Sequence, residues 1–178
     1  LLFSLGSRWQ PTDFYTLKIN ASRNFRTPSF NDLYWQPGGN LLLKPETSWQ
    51  AEFSQEFKYK NFSISATPFF IDIENMIRWL PAEGGIWTPV NTHRVRSLGV
   101  ESALNFNQKW QEHLAQFNFG YAYTHSQNLE TKKQLAYVPF HKIFGTAQYG
   151  WRNFGIYFQG VYNSLIYTTS DESSENAL

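Results

Sequence analysis

The stretch "RNFRTPSFNDLYWQPGGNLLLKPETSWQAEFSQEFKYK", residues 23–60, decides the fold. Its first half is irregular: Pro28, Pro37, Gly38, Gly39 and Pro45 interrupt any period, and aromatic residues are scattered between them. Its second half alternates almost without a break. Trp49, Ala51, Phe53, Phe57 and Tyr59 fall on one face, with Gln55 the exception, while Ser48, Gln50, Glu52, Ser54, Glu56 and Lys58 fall on the other. A period of two sends successive side chains to opposite faces, so this half predicts a long strand with one apolar and one polar face.

The same alternation recurs along the chain. Leu98, Val100, Leu104 and Phe106 oppose Gly99, Glu101, Ala103 and Asn105; Phe117, Phe119, Tyr121 and Tyr123 oppose Gln116, Asn118, Gly120, Ala122 and Thr124. Ile143, Ala147, Tyr149 and Trp151 alternate with Lys142, Thr146 and Gln148, and Phe154, Ile156, Phe158 and Tyr162 make a further apolar set. Shorter candidates lie at 1–9 and 15–22. A less regular one runs from 62 to 79, where Pro68 and "PFFIDI" predict a bulge or register shift. Helical periodicity is scarce, and about eight strands result.

The connections are more telling than the strands. Short links fall at 10–13, 60–61, 108–113 and 152–153; long ones fall at 23–45, 80–92, 126–139 and beyond 168. Short and long alternate. In an up-and-down meander this puts every short turn at one end of the sheet and every long loop at the other. Transmembrane β-barrels of the outer-membrane type have that asymmetry, and a soluble sandwich has no reason for it. Several strands also reach the roughly 9–11 residues needed to cross a bilayer at a tilt.

Composition fits this reading and narrows the function. The 178 residues carry a formal net charge of +1, which gives no electrostatic footprint for nucleic acid or an acidic substrate. There is no cysteine, so disulfides, thiol catalysis and cysteine-bound metal are excluded. Aromatics make up 19% of the chain while mean hydropathy is only −0.46, a combination expected when half of each strand faces lipid and half faces water. No apolar run approaches the ~18 residues of a membrane helix. The chain lacks an initiator Met and a signal segment, so it reads as a piece of a longer polypeptide. His93, His113, His125 and His141 are dispersed without metal-ligand spacing, and no nucleophile elbow, phosphate-binding glycine loop or zinc motif occurs. The reading is therefore of a non-enzyme with no cofactor and no metal.

"NFRTPSFNDLYW" followed by "GGNLLLKPETSWQAEF" resembles the late barrel region of TonB-dependent outer-membrane receptors, through Phe25, Arg26, Pro28, Leu33, Tyr34, Gly39, Asn40, Leu43, Pro45, Glu46 and Glu52. The resemblance continues through "FFIDIENMIRW", "PVNTHRVRSLGVESAL" and "YVPFHKIFGTAQY". It implies an all-β, antiparallel, up-and-down transmembrane barrel of about 22 strands filled by a plug. This chain would supply about eight of them, with residues 1–178 a fragment that lacks the plug and the terminal strand. It further implies a bacterial outer-membrane protein that imports a scarce large ligand, such as a siderophore, cobalamin or haem. The partners would be the TonB complex, reached through the absent plug segment, outer-membrane lipid, and a ligand such as a metal chelate. A self-contained eight-stranded outer-membrane barrel, closed by pairing of 1–9 with 154–168, and a secreted glycan-binding sandwich remain the alternatives.

In such a barrel binding residues belong on the long loops. The ligand-binding candidates are Arg23, Arg26, Tyr34, Trp35 and Trp87: the aromatics to stack on flat ligand faces, the arginines to grip carboxylates or phosphates. For Trp79 and Trp87 taken singly, packing within the loops or at the bilayer interface is the preferred reading. Arg26 and Pro28 are expected to fix the loop's conformation, and Phe25, Leu33, Asn40, Pro45 and Glu46 are structural members of the same motif. Glu52, Glu56 and Glu101 lie on the polar faces, ready to meet basic partners. Asp72 and Glu74 read either as an acid pair or as a polar stripe. The acidic run 170–175 reads as a solvated loop.

Overall fold

A computed structural model describes residues 1–173 and 177–178; Ser174 and Glu175 of the acidic run lie outside the described residues. Eight strands form one antiparallel sheet in strict sequence order: β1 (Phe3–Thr12), β2 (Tyr15–Arg26), β3 (Glu46–Tyr59), β4 (Phe62–Pro81), β5 (Trp87–Trp110), β6 (His113–Asn128), β7 (His141–Trp151) and β8 (Phe154–Asn163). Two-residue turns join β1–β2, β3–β4, β5–β6 and β7–β8 at one end. In the last three the first turn residue, Lys60, Gln111 or Arg152, takes a positive φ of 50° to 52°. A left-handed residue there matches the right-handed twist of the flanking strands.

The registers preserve the two-faced pattern across the whole sheet. Ile19 pairs with Phe53, Phe57 with Ile64, Ile64 with Leu104, Leu104 with Phe119, and Ala147 with Phe158, so the apolar faces of all the strands merge into one belt. Ile19, Phe53, Ile64 and Phe158 are at least 40% exposed, which a soluble sheet of this size would not leave uncovered. Gln55, the polar residue that interrupts the β3 file between Trp49 and Tyr59, accepts a hydrogen bond from the Tyr15 hydroxyl at 3.2 Å. At the short-turn end His113 stacks between the indoles of Trp110 and Trp151 and meets the Tyr149 hydroxyl at 2.7 Å. The opposite face is polar. There Glu56 pairs with Lys58 at 2.9 Å and with Lys18 at 3.6 Å. Phe144 lies across Gly120, where any Cβ would run into its ring.

Three expectations are corrected. Pro68 causes no bulge: β4 keeps one register through it, Pro68 opposite Val100, and only its bonds to β3 lapse. A hydroxyl contact from Thr67 to Ser54 at 2.9 Å spans that gap. The link expected at 80–92 is mostly strand, because β4 and β5 continue as a hairpin in which Trp79 pairs with Pro89 and Pro81 with Trp87. Its polar, proline-bearing sequence hides the alternation: the buried positions of the arm, Ile77 on β4 and Pro89 and Thr92 on β5, follow no period of two. Within the loop expected to be irregular, a helix α1 (Phe30–Tyr34) forms. The alternative of a self-contained eight-stranded barrel does not hold: among the described residues β1 pairs only with β2 and β8 only with β7, so the eight strands do not close on themselves.

Candidate functional site

At the long-loop end the connection 27–45 is folded down onto the β4–β5 arm. The local cause is a capping box. Ser29 caps α1, its hydroxyl oxygen accepting from the Asp32 N–H at 3.2 Å, while the Asp32 carboxylate accepts the Ser29 N–H and hydroxyl, each at 2.8 Å. Asp32 is only 2% exposed. Its remaining capacity takes the indole N–H of Trp79 at 2.9 Å and the Arg26 guanidinium at 3.3 Å. Arg26 also lies 3.7 Å from Glu46, which accepts the Ile77 N–H at 2.9 Å. Burial pushes the Asp32 carboxyl up, but the two Ser29 contacts, the Trp79 indole and the Arg26 charge outweigh it and hold it below the ordinary 3.8.

A second clamp is built from amides. Asn91 donates to the carbonyls of Asn75 at 2.7 Å and Lys44 at 3.0 Å and accepts the Lys44 N–H at 2.8 Å. Asn40 donates to the Pro89 carbonyl at 3.0 Å. The approach is close enough to require glycine: a Cβ at Gly38 would collide with the Trp87 carbonyl oxygen. The buried apolar residues Ile77, Val95, Leu135 and Ala136 all belong to this end of the molecule. The 129–140 connection is held by Gln134, which is 3% exposed. Its side chain accepts the Ser126 N–H and donates to the carbonyls of Thr124 and Val138.

The result is a rigid platform with apolar side chains left standing on it. Phe30 and Tyr34 pack ring to ring at 4.7 Å, and Tyr34, Trp35 and Trp87 are 51%, 54% and 46% exposed. Of the five ligand candidates, these three aromatics share the long-loop end. Arg26 is committed to Asp32 and Glu46 within the scaffold. Arg23 lies elsewhere: it is in register with Trp49 on the apolar face, its guanidinium 5.4 Å from the indole centroid. Sequence reading favoured loop packing for Trp79, in keeping with its contact to Asp32, but missed Asp32 and Asn91 as the centre of the scaffold. The Ser-x-x-Asp spacing of the capping box was available as a signal for Asp32; the Trp79 contact, 47 residues away, had none. Asp72 and Glu74 form a stripe on the apolar face, Asp72 binding Arg94 and Arg96, each at 2.8 Å.

A profile of the family described as "TonB dependent receptor-like, beta-barrel" matches residues 1–177. The vitamin B12 transporter of Vibrio vulnificus (strain YJ016) is 35% identical over 112 residues, 62% of this chain and 18% of that protein. The vitamin B12 transporter of Photobacterium profundum is 29% identical over 137 residues, 75% of this chain and 22% of that protein. The chain thus spans about a fifth of the length of these relatives. Among solved structures, the ferric enterobactin receptor of Pseudomonas aeruginosa superposes with a TM-score of 0.70 at 20% identity, covering 92% of this chain and 28% of that one. The siderophore receptor PirA from Acinetobacter baumannii gives 0.69 at 20% identity over the same shares.

Proposed function

Since the chain belongs to the TonB-dependent receptor β-barrel family, we propose that it supplies part of the wall and of the ligand-facing rim of an outer-membrane transporter for a large, scarce ligand. In this reading the apolar belt faces lipid in the bacterial outer membrane. The polar face lines a lumen of an about 22-stranded barrel, and the long-loop end faces outward. The platform carrying Tyr34, Trp35 and Trp87 is the observation that carries the proposal. Three half-exposed aromatics on a clamped scaffold offer flat, low-entropy contact area to a bulky ligand. Arg23 and Arg26 contribute elsewhere, Arg26 by holding the loop and Arg23 at the outer face. Transport is driven by the TonB complex acting on a plug in the remainder of the protein.

The ligand class to test first is cobalamin, because two of the relatives bear the name of vitamin B12 transporters; ferric siderophores come next. The full-length protein is expressed in Gram-negative cells lacking their own B12 receptor, and uptake of labelled cobalamin is measured. The expected result is saturable, TonB-dependent uptake, with apparent affinity falling about tenfold in Trp35→Ala/Trp87→Ala, the loss of roughly 1.4 kcal/mol of contact. Uptake of a ferric siderophore in place of cobalamin would reassign the ligand. An unchanged affinity in the double variant would remove the platform from the site.

A further inference from the structure

The short-turn end of the polar face carries an unbalanced charge. Lys60 is the first residue of the β3–β4 turn, Lys58 lies just before it on β3, and Lys109 lies just before the β5–β6 turn on β5. The two turns are neighbours, since the Asn107 N–H donates to the Asn61 carbonyl at 3.0 Å. Lys58 is in register with Ser63 and Ser63 with Asn105, while Asn107 and Lys109 follow Asn105 on the same face of β5. A shallow cavity of about 240 Å³ opens here, lined by Lys58, Lys60, Asn61, Ser63, Asn105 and Asn107 and by no carboxylate.

The charges around it do not cancel. Glu56 meets Lys58 at 2.9 Å and Lys18 at 3.6 Å, one carboxylate shared by two lysines. The next turn brings Asp13, placed alongside by the Lys58 N–H, which donates to the Phe14 carbonyl at 2.8 Å. Arg152 is matched by Glu112. Lys60 and Lys109 make no ion pair among the described residues, and the Lys60 ammonium rests 5.2 Å from the Tyr59 ring centroid. Lys18, Lys58, Lys60 and Lys109 against Glu56 and Asp13 leave two positive charges in excess. Asn105 donates to the Ser63 hydroxyl at 3.2 Å, while the side-chain amides of Asn61 and Asn107 make no hydrogen bond among the described residues.

The cations are spread along the rim rather than gathered on one point. Lys60 and Lys109 stand on turns two strand places apart, roughly 10 Å at about 4.8 Å per place. That spacing is too wide to close on a single phosphate, and ammonium groups lack the planar fork with which arginine grips one. It suits carboxylates spaced along an extended chain, where three residues cover about 10 Å. The amides of Asn61 and Asn107 then meet that chain's peptide groups.

We propose that this rim docks an acidic, extended segment of a soluble partner protein. The proposal rests on the orientation given above: with the long-loop end outward, the short turns face the periplasm and are open to soluble proteins.

The test uses the full-length protein purified in detergent and a fluorescent decaglutamate peptide as the probe. Decaglutamate is expected to bind, decalysine to fail, and the affinity to fall as salt is raised. Lys60→Gln and Lys109→Gln are each expected to weaken binding about threefold, as for a single exposed ion pair, and the double variant about tenfold. Lys142→Gln, away from the turns, is expected to bind as wild type does. Carbodiimide coupling of the peptide's carboxyls to lysine amines is expected to mark Lys60 and Lys109 and to spare Lys44 and Lys142. Unchanged binding in the double variant, adducts spread evenly over all these lysines, or displacement by millimolar inorganic phosphate overturns the docking rim while the transporter reading stands. Density fractionation of membranes separates the two readings: a protein recovered outside the outer-membrane fraction overturns both.

Discussion

Asp32 is the residue on which the platform depends. Five-residue helices have little stability of their own, so α1 persists because one buried carboxylate satisfies its N-terminus and ties it to Arg26 and Trp79. Asp32→Asn removes the charge that Arg26 meets and leaves at least one buried donor poorly paired, a local loss of about 2 kcal/mol. The expected outcome is faster proteolysis and hydrogen exchange across 27–45, with the eight-stranded sheet unchanged. The pH dependence follows from the lowered carboxyl. The folded group holds its proton less tightly than the unfolded one, so its stabilisation is complete above the ordinary 3.8 and is lost as pH falls through the lower folded value. Exchange protection of this loop is therefore expected to be level above about pH 5 and to decline below about pH 4, and in Asp32→Asn the decline is expected to disappear. Half of this centre was legible. Ser29 and Asp32 stand at capping-box spacing, whereas nothing local in the sequence couples Asp32 to Trp79 or Asn40 to Pro89, because those contacts exist only once the hairpin arm is in place.

At the scale of elements, strands were legible wherever one face meets an apolar medium. The reading of 48–59 as a strand is matched by Glu46–Tyr59, and 154–162 by Phe154–Asn163. It failed where that constraint ends. The upper half of β5 carries Thr88, Pro89, Asn91 and Thr92 at positions that pair only within the arm, so no period marks them. Pro68 misled in the other direction, since only the β3 side of the ladder lacks its N–H and the neighbouring hydroxyls bridge it. The arm ends in Gly84 and Gly85, both at positive φ with open space around them. An epitope tag inserted between them is expected to leave the fold intact and to bind antibody on whole cells expressing the full-length protein. The same epitope at Gln111–Glu112 is expected to be reached only after permeabilisation. Labelling at both sites without permeabilisation would contradict the proposed orientation.

For the whole molecule the alternation of short and long connections stated the topology, and the structure bears it out as eight neighbours in sequence order. The outer edges of β1 and β8 carry unpaired backbone, which lipid does not tolerate. Refolded alone in detergent, the 178-residue chain is expected to associate through these edges and to sediment as oligomers; a folded monomer would show that the edges are protected some other way.

Among the described residues every strand pairs only with its neighbours in sequence, so the sheet is expected to assemble by closing loops one hairpin at a time. Two-residue turns make most of these closures cheap, but joining β2 to β3 means closing 19 residues, 27–45. By chain statistics that ordering costs about 2 kcal/mol more than a two-residue turn. The Asp32 and Asn91 clamps stabilise this loop, yet their partners on β4 and β5 arrive only after β3 is made. The first hairpin pair is thus expected to be held provisionally and fixed from behind, so the order of synthesis and the order of consolidation run in opposite directions along the chain.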